Sequence, residues 1–278
     1  MSTLSMLRAM NREDASVAGA VRRALPAIAR AVDAAANALR HGGRLFYVGA
    51  GTSGRLAALD AAECPPTFGT SPKLVQAVLA GGRRALTGAV EGAEDSASNG
   101  ARDLQRRGVS QRDVVAGIAA SGETPYVLGA IEYAKRCGAV TIGVASNRDS
   151  TLEWRAQIAI VVETGPEAVT GSTRLKAGTA QKMVLNLLST ATMARLGRVY
   201  DNWMIGVALT NRKLQARGLR ILSEASGAGV SQAAQALRQS RHELPVALIM
   251  LKAGVNAAEA RRRLTRARGD LRRALGKK

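Results

Sequence analysis

Val48-Gly-Ala-Gly-Thr-Ser-Gly-Arg-Leu-Ala-Ala-Leu-Asp-Ala-Ala-Glu-Cys-Pro-Pro-Thr-Phe-Gly69 decides the fold. A short apolar run at 45–48 meets small residues, then two hydroxyls, Thr52 and Ser53, at a helix start, and further along that helix a carboxylate, Glu63. Small residues let the chain turn tightly, and the free N–H groups and dipole of a helix N-terminus draw an anion. A phosphate suits such a turn.

Working outward, the same alternation continues. Apolar runs predict strands at 45–48, near 74–79, and at 114–119, 140–144 and 158–162. Between them, helical spacing predicts helices over about 53–64, 94–107 and 124–136. Strands separated by helices of this length argue for an α/β fold, a parallel sheet covered on both faces. Upstream, apolar positions from Leu4 to Leu39 recur at helical spacing until Gly42-Gly43, with Pro26 expected to divide them into two helices. Pro65-Pro66 is expected to turn the chain just after Glu63. Past Gly178 the pattern is nearly continuous helix, 179–196 and about 203–226, then a Gly227-Ala-Gly229 break and three short helical patterns near 230–239, 243–253 and 256–274. The expected division is an N-terminal helical segment 1–33, a sheet domain 34–197, a connecting helix 198–227 and a helical module 228–278.

The 278 residues are 46% hydrophobic and carry a formal charge of +19 with only 3% aromatics. The basic excess is arginine spread along helical segments, densest in Arg261-Arg-Arg-Leu-Thr-Arg-Ala-Arg268 with Arg272 and Arg273. No recognition motif accompanies it, and charge alone gives only non-specific attraction to nucleic acid. A solvated helical face is the simpler reading. No stretch reaches membrane-spanning length without interruption, and the first residues lack a signal-peptide pattern, so a cytoplasmic location is expected. Cys64 and Cys137, with His41 and His242 far away, form neither a zinc-type cluster nor a disulfide framework. Cys64 reads as a small packed hydrophobe.

A second loop, Ala119-Ala-Ser-Gly-Glu-Thr124, repeats the plan of the first, and ligands of open α/β sheets bind at the carboxyl ends of strands. Thr52, Ser53, Ser121 and Thr124 would donate to phosphate oxygens. Gly49-Ala-Gly-Thr-Ser-Gly54 also fits the bare dinucleotide pattern, but Cys64-Pro-Pro-Thr-Phe-Gly69 stands where an acidic ribose ligand is expected, and the P-loop lysine is missing. A third stretch, Gly165-Pro-Glu-Ala-Val-Thr-Gly-Ser-Thr-Arg-Leu-Lys-Ala-Gly-Thr-Ala-Gln-Lys182, leads into a helix. Ser172 and Thr173 either cap that helix or hold a ligand, and Arg174, Lys176 and Lys182 add positive charge. Glu94 and Asp95 in a first helical turn suit the dipole without any catalytic role. Spacing alone leaves open whether Glu63 and Glu94 meet.

Taken together, Val48-Gly-Ala-Gly-Thr-Ser-Gly-Arg55, Glu63-Cys-Pro-Pro-Thr-Phe-Gly69, Ala89-Val-Glu-Gly-Ala-Glu-Asp95 and Thr170-Gly-Ser-Thr-Arg-Leu-Lys-Ala-Gly-Thr-Ala-Gln-Lys182 resemble the N-acetylmuramic acid 6-phosphate etherases almost end to end. The resemblance implies a sugar isomerase (SIS) domain, a flavodoxin-like parallel-sheet sandwich, with N-terminal helices and a small C-terminal helical, UBA-like module. It implies cleavage of the D-lactyl ether of N-acetylmuramic acid 6-phosphate during peptidoglycan amino-sugar recycling, with no metal or organic cofactor. By motif, Glu63 becomes the proton donor and Glu94 the base. Thr52, Ser53, Ser121, Gly122, Thr124, Ser172, Thr173 and Lys176 become substrate contacts. A homodimer is implied, with the helices at 3–41 and 179–226 as candidate surfaces.

The chain departs from the family pattern at Glu123, where arginine is usual, although Ser-Gly-Glu-Thr is common in sugar isomerase domains at large. Ala62 replaces a usual serine, Asp201 and Gly206 alter a Val-Tyr-Gly-Asn motif with a later aspartate, and the start lies beyond an Asn-Pro-containing leader. Two other readings use the same loops. A non-catalytic phosphosugar-binding regulator is weakened by retention of both glutamates and by the lack of a helix-turn-helix pattern before residue 40. An aldose-ketose isomerase does not account for the motifs at 89–95 and 170–182.

Overall fold

All five residues of β1 (Leu45–Gly49) are buried, the pattern of a strand covered on both faces. The computed structural model describes every residue except Thr210, Lys277 and Lys278. β1 pairs in parallel with β2 (Val75–Leu79) and β3 (Val114–Ile118), β3 with β4 (Val140–Ala145), and β4 with β5 (Ile158–Val161). The order β2-β1-β3-β4-β5 is that of flavodoxin-like sheets, in agreement with the expected class. In the register Gly49 stands beside Leu79 and Ile118, so three strands finish level with one another.

Side chains alternate across β1. Phe46 and Val48 join Val115, Leu104, Tyr126 and Ile131 in one core, with α4 (Ala97–Arg106) and α5 (Pro125–Arg136). Those two helices are almost in backbone contact: a Cβ at Gly100 would lie 1.9 Å from the Tyr126 carbonyl oxygen, and one at Gly129 2.1 Å from that of Ala97. Tyr47 points the other way and donates its hydroxyl to Asp60 of α3 (Gly51–Phe68) at 3.1 Å. Asp60 also accepts from Asn186 Nδ2 at 2.8 Å and Ser189 Oγ at 3.1 Å, both on α7 (Lys176–Arg195). Burial raises the Asp60 pKa, against the pull of those three donors. At the foot of the sheet Asp113 accepts from the Arg44 amide and guanidinium, each at 2.8 Å, and from the Ser110 amide at 2.8 Å. Burial opposes its charge too, but here the guanidinium and amide donors win and hold the pKa down.

Several expected boundaries move. The N-terminal stretch divides at Ser16, between α1 (Thr3–Ala15) and α2 (Val17–Arg40), and Pro26 sits inside α2. A proline costs a helix interior about 3 kcal/mol; here the buried stripe of Val21, Ile28, Val32 and Leu39, on a helix packed along β3 and β5, outweighs it. α3 likewise begins at Gly51 and continues through Pro65 and Pro66. It stops where Gly69, at φ +63°, donates its amide to the Pro65 carbonyl, a glycine cap rather than a proline break. Ser96 caps α4, so Glu94 lies in the preceding turn and not in the helix. α6 (Thr151–Arg155) is an additional short helix. The helix expected from Trp203 is instead a hairpin of β6 (Val199–Tyr200) and β7 (Trp203–Met204), turned at Asp201 with φ +51°. α8 (Arg212–Ser226) starts only where Asn211 accepts from the Leu214 amide. The last pattern breaks into α11 (Ala257–Arg266) and α12 (Leu271–Ala274), because Arg268 and Gly269 both adopt positive φ.

By contacts the chain forms two units: Met1–Ala62 with Pro72–Thr190, and Glu63–Ser71 with the residues from Ala191 on. The first holds the sheet. In the second, α8, α9 (Val230–Gln239), α10 (Leu244–Ala253), α11 and α12 enclose Leu222, Leu237, Leu248, Ile249 and Leu271. Gly206 is required there, since a Cβ would lie 2.3 Å from the Phe68 carbonyl oxygen. Asp201 accepts from Arg272 at 3.1 Å. Within the basic run, Arg261 pairs with Glu243, and Arg262 and Arg263 with Glu259. Cys64 is buried, as a packed hydrophobe should be. No described helix is long and apolar enough to cross a membrane.

Candidate active site

Only Ala50 separates β1 from α3, and two glycines make so short a turn possible. A Cβ on Gly49 would lie 2.7 Å from the Gly54 amide nitrogen, and one on Gly54 2.0 Å from the Leu79 side chain and 2.7 Å from the Gly49 carbonyl oxygen. The tight turn aims the first amides of α3 past the end of the strand. There Gly51 and Thr52 face a second turn, at 89–94, across a cleft of about 260 Å³ that Arg55, Ala80, Val90 and Glu94 help to line. Thr52 is half-buried and Ser53 buried, while the Glu94 side chain is exposed to the cleft.

Glu94 is held by its backbone. Gly92 at φ +69° lets the Asp95 amide reach the Gly92 carbonyl at 3.2 Å, and the Glu94 carbonyl accepts from the Tyr126 amide of α5 at 3.0 Å. Arg55 fixes the facing wall, donating to the Ala85 and Gly88 carbonyls at 2.8 Å each. Local spacing assigns Arg55 no role; a long cation directly after the loop glycine is the one signal the sequence offers for it.

The second loop is built differently. Ser121 Oγ accepts from the Glu123 amide at 3.1 Å, and the Glu123 carboxylate accepts from the Thr151 amide and hydroxyl, both at 2.6 Å. Those two bonds from Thr151 hold the Glu123 carboxyl below its ordinary pKa. Gly122 has φ +76°, and a Cβ there would lie 2.3 Å from Ser150 Oγ. Glu123 therefore braces the loop against the start of α6, which gives this departure from the family pattern a structural account. Thr124 occupies the cap position of α5 without a side-chain capping bond.

The third stretch reaches the first loop at Gly178, where a Cβ would lie 3.4 Å from the Thr52 methyl and 3.5 Å from the Thr173 carbonyl oxygen. Of the two roles open to Ser172 and Thr173, the helix cap is taken instead by Glu167, whose carboxylate accepts from the Lys176 and Ala177 amides at 2.9 and 3.0 Å. A carboxylate offers two acceptors and a full charge to the positive helix end, and so displaces a hydroxyl. Because Glu167 precedes the helix by a long loop, no capping spacing could have revealed it. Lys176 is 3% exposed, with its ammonium 2.6 Å from Glu13 of α1. That bond and the lysine charge lower the Glu13 pKa.

The structure thus brings Thr52 and Glu94 to one cleft and sets Thr173 and Gly178 beside Thr52. Ser121, Gly122 and Thr124 belong to the braced second loop, and Lys176 faces Glu13. Glu63, exposed on α3 one turn beyond Asp60, is grouped with the second unit. Chemically the cleft combines an anion-attracting helix start with a carboxylate able to exchange a proton.

Comparison with known proteins places the chain as a whole. Residues 27–135 match the glucokinase regulatory protein N-terminal SIS domain, and residues 94–191 match the SIS domain. Over 275 residues, 99% of this chain and 93% of the relative, the sequence is 51% identical to a Geobacillus thermodenitrificans protein named N-acetylmuramic acid 6-phosphate etherase. A protein of the same name from Yersinia pestis is 53% identical over the same shares. Among solved structures, a phosphoheptose isomerase from Francisella tularensis superposes with a TM-score of 0.56 at 19% identity, over 70% of this chain and 100% of that one. A putative sugar-phosphate isomerase from Listeria monocytogenes gives 0.51 at 19% identity, over 70% and 92%. These two share the fold.

Proposed function

Because the chain belongs to the N-acetylmuramic acid 6-phosphate etherase family, we propose that the cleft of Thr52 and Glu94 is where it works on that phosphosugar. The chain is a carbon–oxygen lyase, which with water splits N-acetylmuramic acid 6-phosphate into N-acetylglucosamine 6-phosphate and D-lactate. Identity of more than half over 99% of the chain is the observation that carries this reading. The setting is peptidoglycan amino-sugar recycling in the cytoplasm.

The chemistry needs two carboxyl groups in opposite states. Ring opening exposes an aldehyde that acidifies the C2 proton. Glu94 takes that proton as a carboxylate. Glu63, protonated, gives its proton to the lactate oxygen as the C3–O bond breaks. Water then adds at C3 of the unsaturated aldehyde, and C2 regains a proton. Two acids hold opposite protonation states when their environments differ. The phosphate sits at the start of α3, on the hydroxyls of Thr52 and Ser53. Ser121, Gly122, Thr124, Ser172 and Thr173 complete its surroundings. For Lys176 to join them, its ammonium must exchange Glu13 for phosphate.

A homodimer fits α1, which buries none of its own side chains and leaves Leu4 and Leu7 more than half exposed in the single chain. A second copy would cover them; light scattering that returns the monomer mass overturns this part. The reaction is tested with the purified protein, N-acetylmuramic acid 6-phosphate and ¹⁸O-labelled water. Elimination followed by hydration places the label on C3 of the sugar and leaves lactate unlabelled. Labelled lactate, or tight binding without lactate release, overturns the proposal.

A further inference from the structure

The 3-10 turn Gly82–Leu86 has two sides. Ala85 faces the cleft of Glu94, while Gly82, Arg83 and Leu86 line a second cavity of about 300 Å³. Its floor is apolar: Ala58 of α3 and Ala77, Val78 and Leu79 of the edge strand β2. Its remaining wall is the last turn of α4 and the residue after it, Asp103, Arg106 and Arg107.

The charges in this wall are unbalanced. Three guanidiniums stand against one carboxylate, and that carboxylate is already engaged, accepting from the Tyr126 hydroxyl at 2.7 Å. Arg106 lies 3.7 Å from Asp103 with its side chain 72% exposed, and Arg107 donates to Gln76 at 3.0 Å. Arg83 makes no hydrogen bond or ion pair among the described residues. The mechanism uses none of these groups. A guanidinium presents a fixed fork of donors that matches a carboxylate or phosphate, and it is more weakly hydrated than an ammonium, so pairing costs it less. An apolar floor beneath a surplus of guanidiniums is the chemistry of a pocket for a small organic anion.

We propose that this cavity binds such an anion, a phosphate monoester or carboxylate with an apolar body, head on Arg83 and Arg106 and body on β2. The same turn forms one wall of the cleft, and Arg55 ties its Ala85 carbonyl to α3. Occupancy therefore acts on the lyase reaction; this coupling rests on the function proposed above, whereas the binding does not. A ligand that binds two states of the turn unequally shifts their populations, and with them the catalytic rate.

Phenyl phosphate and phenylacetate serve as probes, with benzyl alcohol as the neutral control, followed by saturation-transfer NMR on the full chain. The expected result is binding of at least one anion that falls fivefold or more in Arg83→Gln/Arg106→Gln and also in Ala58→Leu, which fills the cavity without changing charge. Thr52→Val, which weakens phosphate contacts in the cleft, should keep the signal. Equal binding of benzyl alcohol, survival of the signal in the double variant or in Ala58→Leu, or its loss in Thr52→Val overturns the proposal. In kinetic assays the probe should change wild-type kcat/KM for lactate release at least twofold and leave Arg83→Gln/Arg106→Gln unaffected; an equal response of both enzymes overturns the coupling. A wild type that releases no lactate would defeat the proposed function, with the binding arms still readable.

Discussion

The loop after β1 and the loop after β3 follow one plan, small residues and hydroxyls between a buried strand and a helix, but their polar groups meet different neighbours. Thr52 and the first amides of α3 face a cleft whose other wall carries Glu94. In the second loop, Ser121 takes the Glu123 amide, and Glu123 takes two donors from Thr151. The helix that this loop begins also pins the Glu94 carbonyl through the Tyr126 amide. The difference teaches that a glycine-hydroxyl loop is a capacity, and what stands opposite decides how many of its polar groups stay open to a cleft and how many brace a neighbouring helix.

The sharpest way to break this contrast is Glu94→Gln. Loss of a general acid–base group should lower kcat for lactate release about 10²–10⁴-fold with phosphosugar binding retained. A variant within a few-fold of wild type would move the reaction away from the cleft. The glycines come next. Gly54→Ala drives a methyl into the Leu79 side chain at 2.0 Å and the Gly49 carbonyl at 2.7 Å, and should cost about 1–3 kcal/mol in urea unfolding, as overpacking does. Gly129→Ala, whose Cβ would lie 2.1 Å from the Ala97 carbonyl, should lose as much stability and also activity, because it pushes apart the helices that hold Glu94. Full activity in Gly129→Ala would show that the α4–α5 contact does not position the carboxylate.

A smaller effect separates the hydroxyls. Thr52→Val should raise KM about tenfold, equivalent to about 1.4 kcal/mol of lost binding, and Ser121→Ala should raise it less. The reverse ranking would make the second loop the principal phosphate site. Glu123→Gln should change least, with a slightly lower melting temperature at neutral pH and nearly unchanged kcat/KM. Its pH dependence carries the information. The folded pKa of Glu123 is lowered by the Thr151 hydroxyl and amide. Its contribution is therefore present above the unfolded value of about 4.3 and is lost as pH falls through the lower folded value. The glutamine variant should lose less stability than wild type on acidification through that range. Parallel curves would mean that the contact with Thr151 contributes nothing.

Much of the sheet was legible because local pattern settles it. The runs at 45–48, 114–119 and 140–144 are apolar and bounded by glycines or helical spacing, and each proved to be a parallel strand. The prolines misled for a reason: Pro26 and Pro65-Pro66 are breakers on local rules, and only burial of the surrounding stripe or a cap further on keeps their helices intact. Trp203 misled in the opposite direction, since apolar spacing through 203–226 resembles a helix until the turn at Asp201 and the cap at Asn211 are known. In the site, Thr52 and Glu94 were both nominated, but Arg55 and Glu167 were not. Each of those two acts on backbone groups distant in sequence, which no motif spacing records.

What the sequence determined by itself was the class of fold, the resemblance to the etherases and the residue types able to carry the chemistry. Periodicity and contiguous motifs are properties of the chain, readable wherever its neighbours lie. What only the tertiary structure decided was partnership: Thr52 with Glu94, Glu167 with the start of α7, Glu123 with Thr151, Lys176 with Glu13. Those pairings depend on distances between segments separated along the chain, where hydrogen-bond competition chooses among several equally plausible partners.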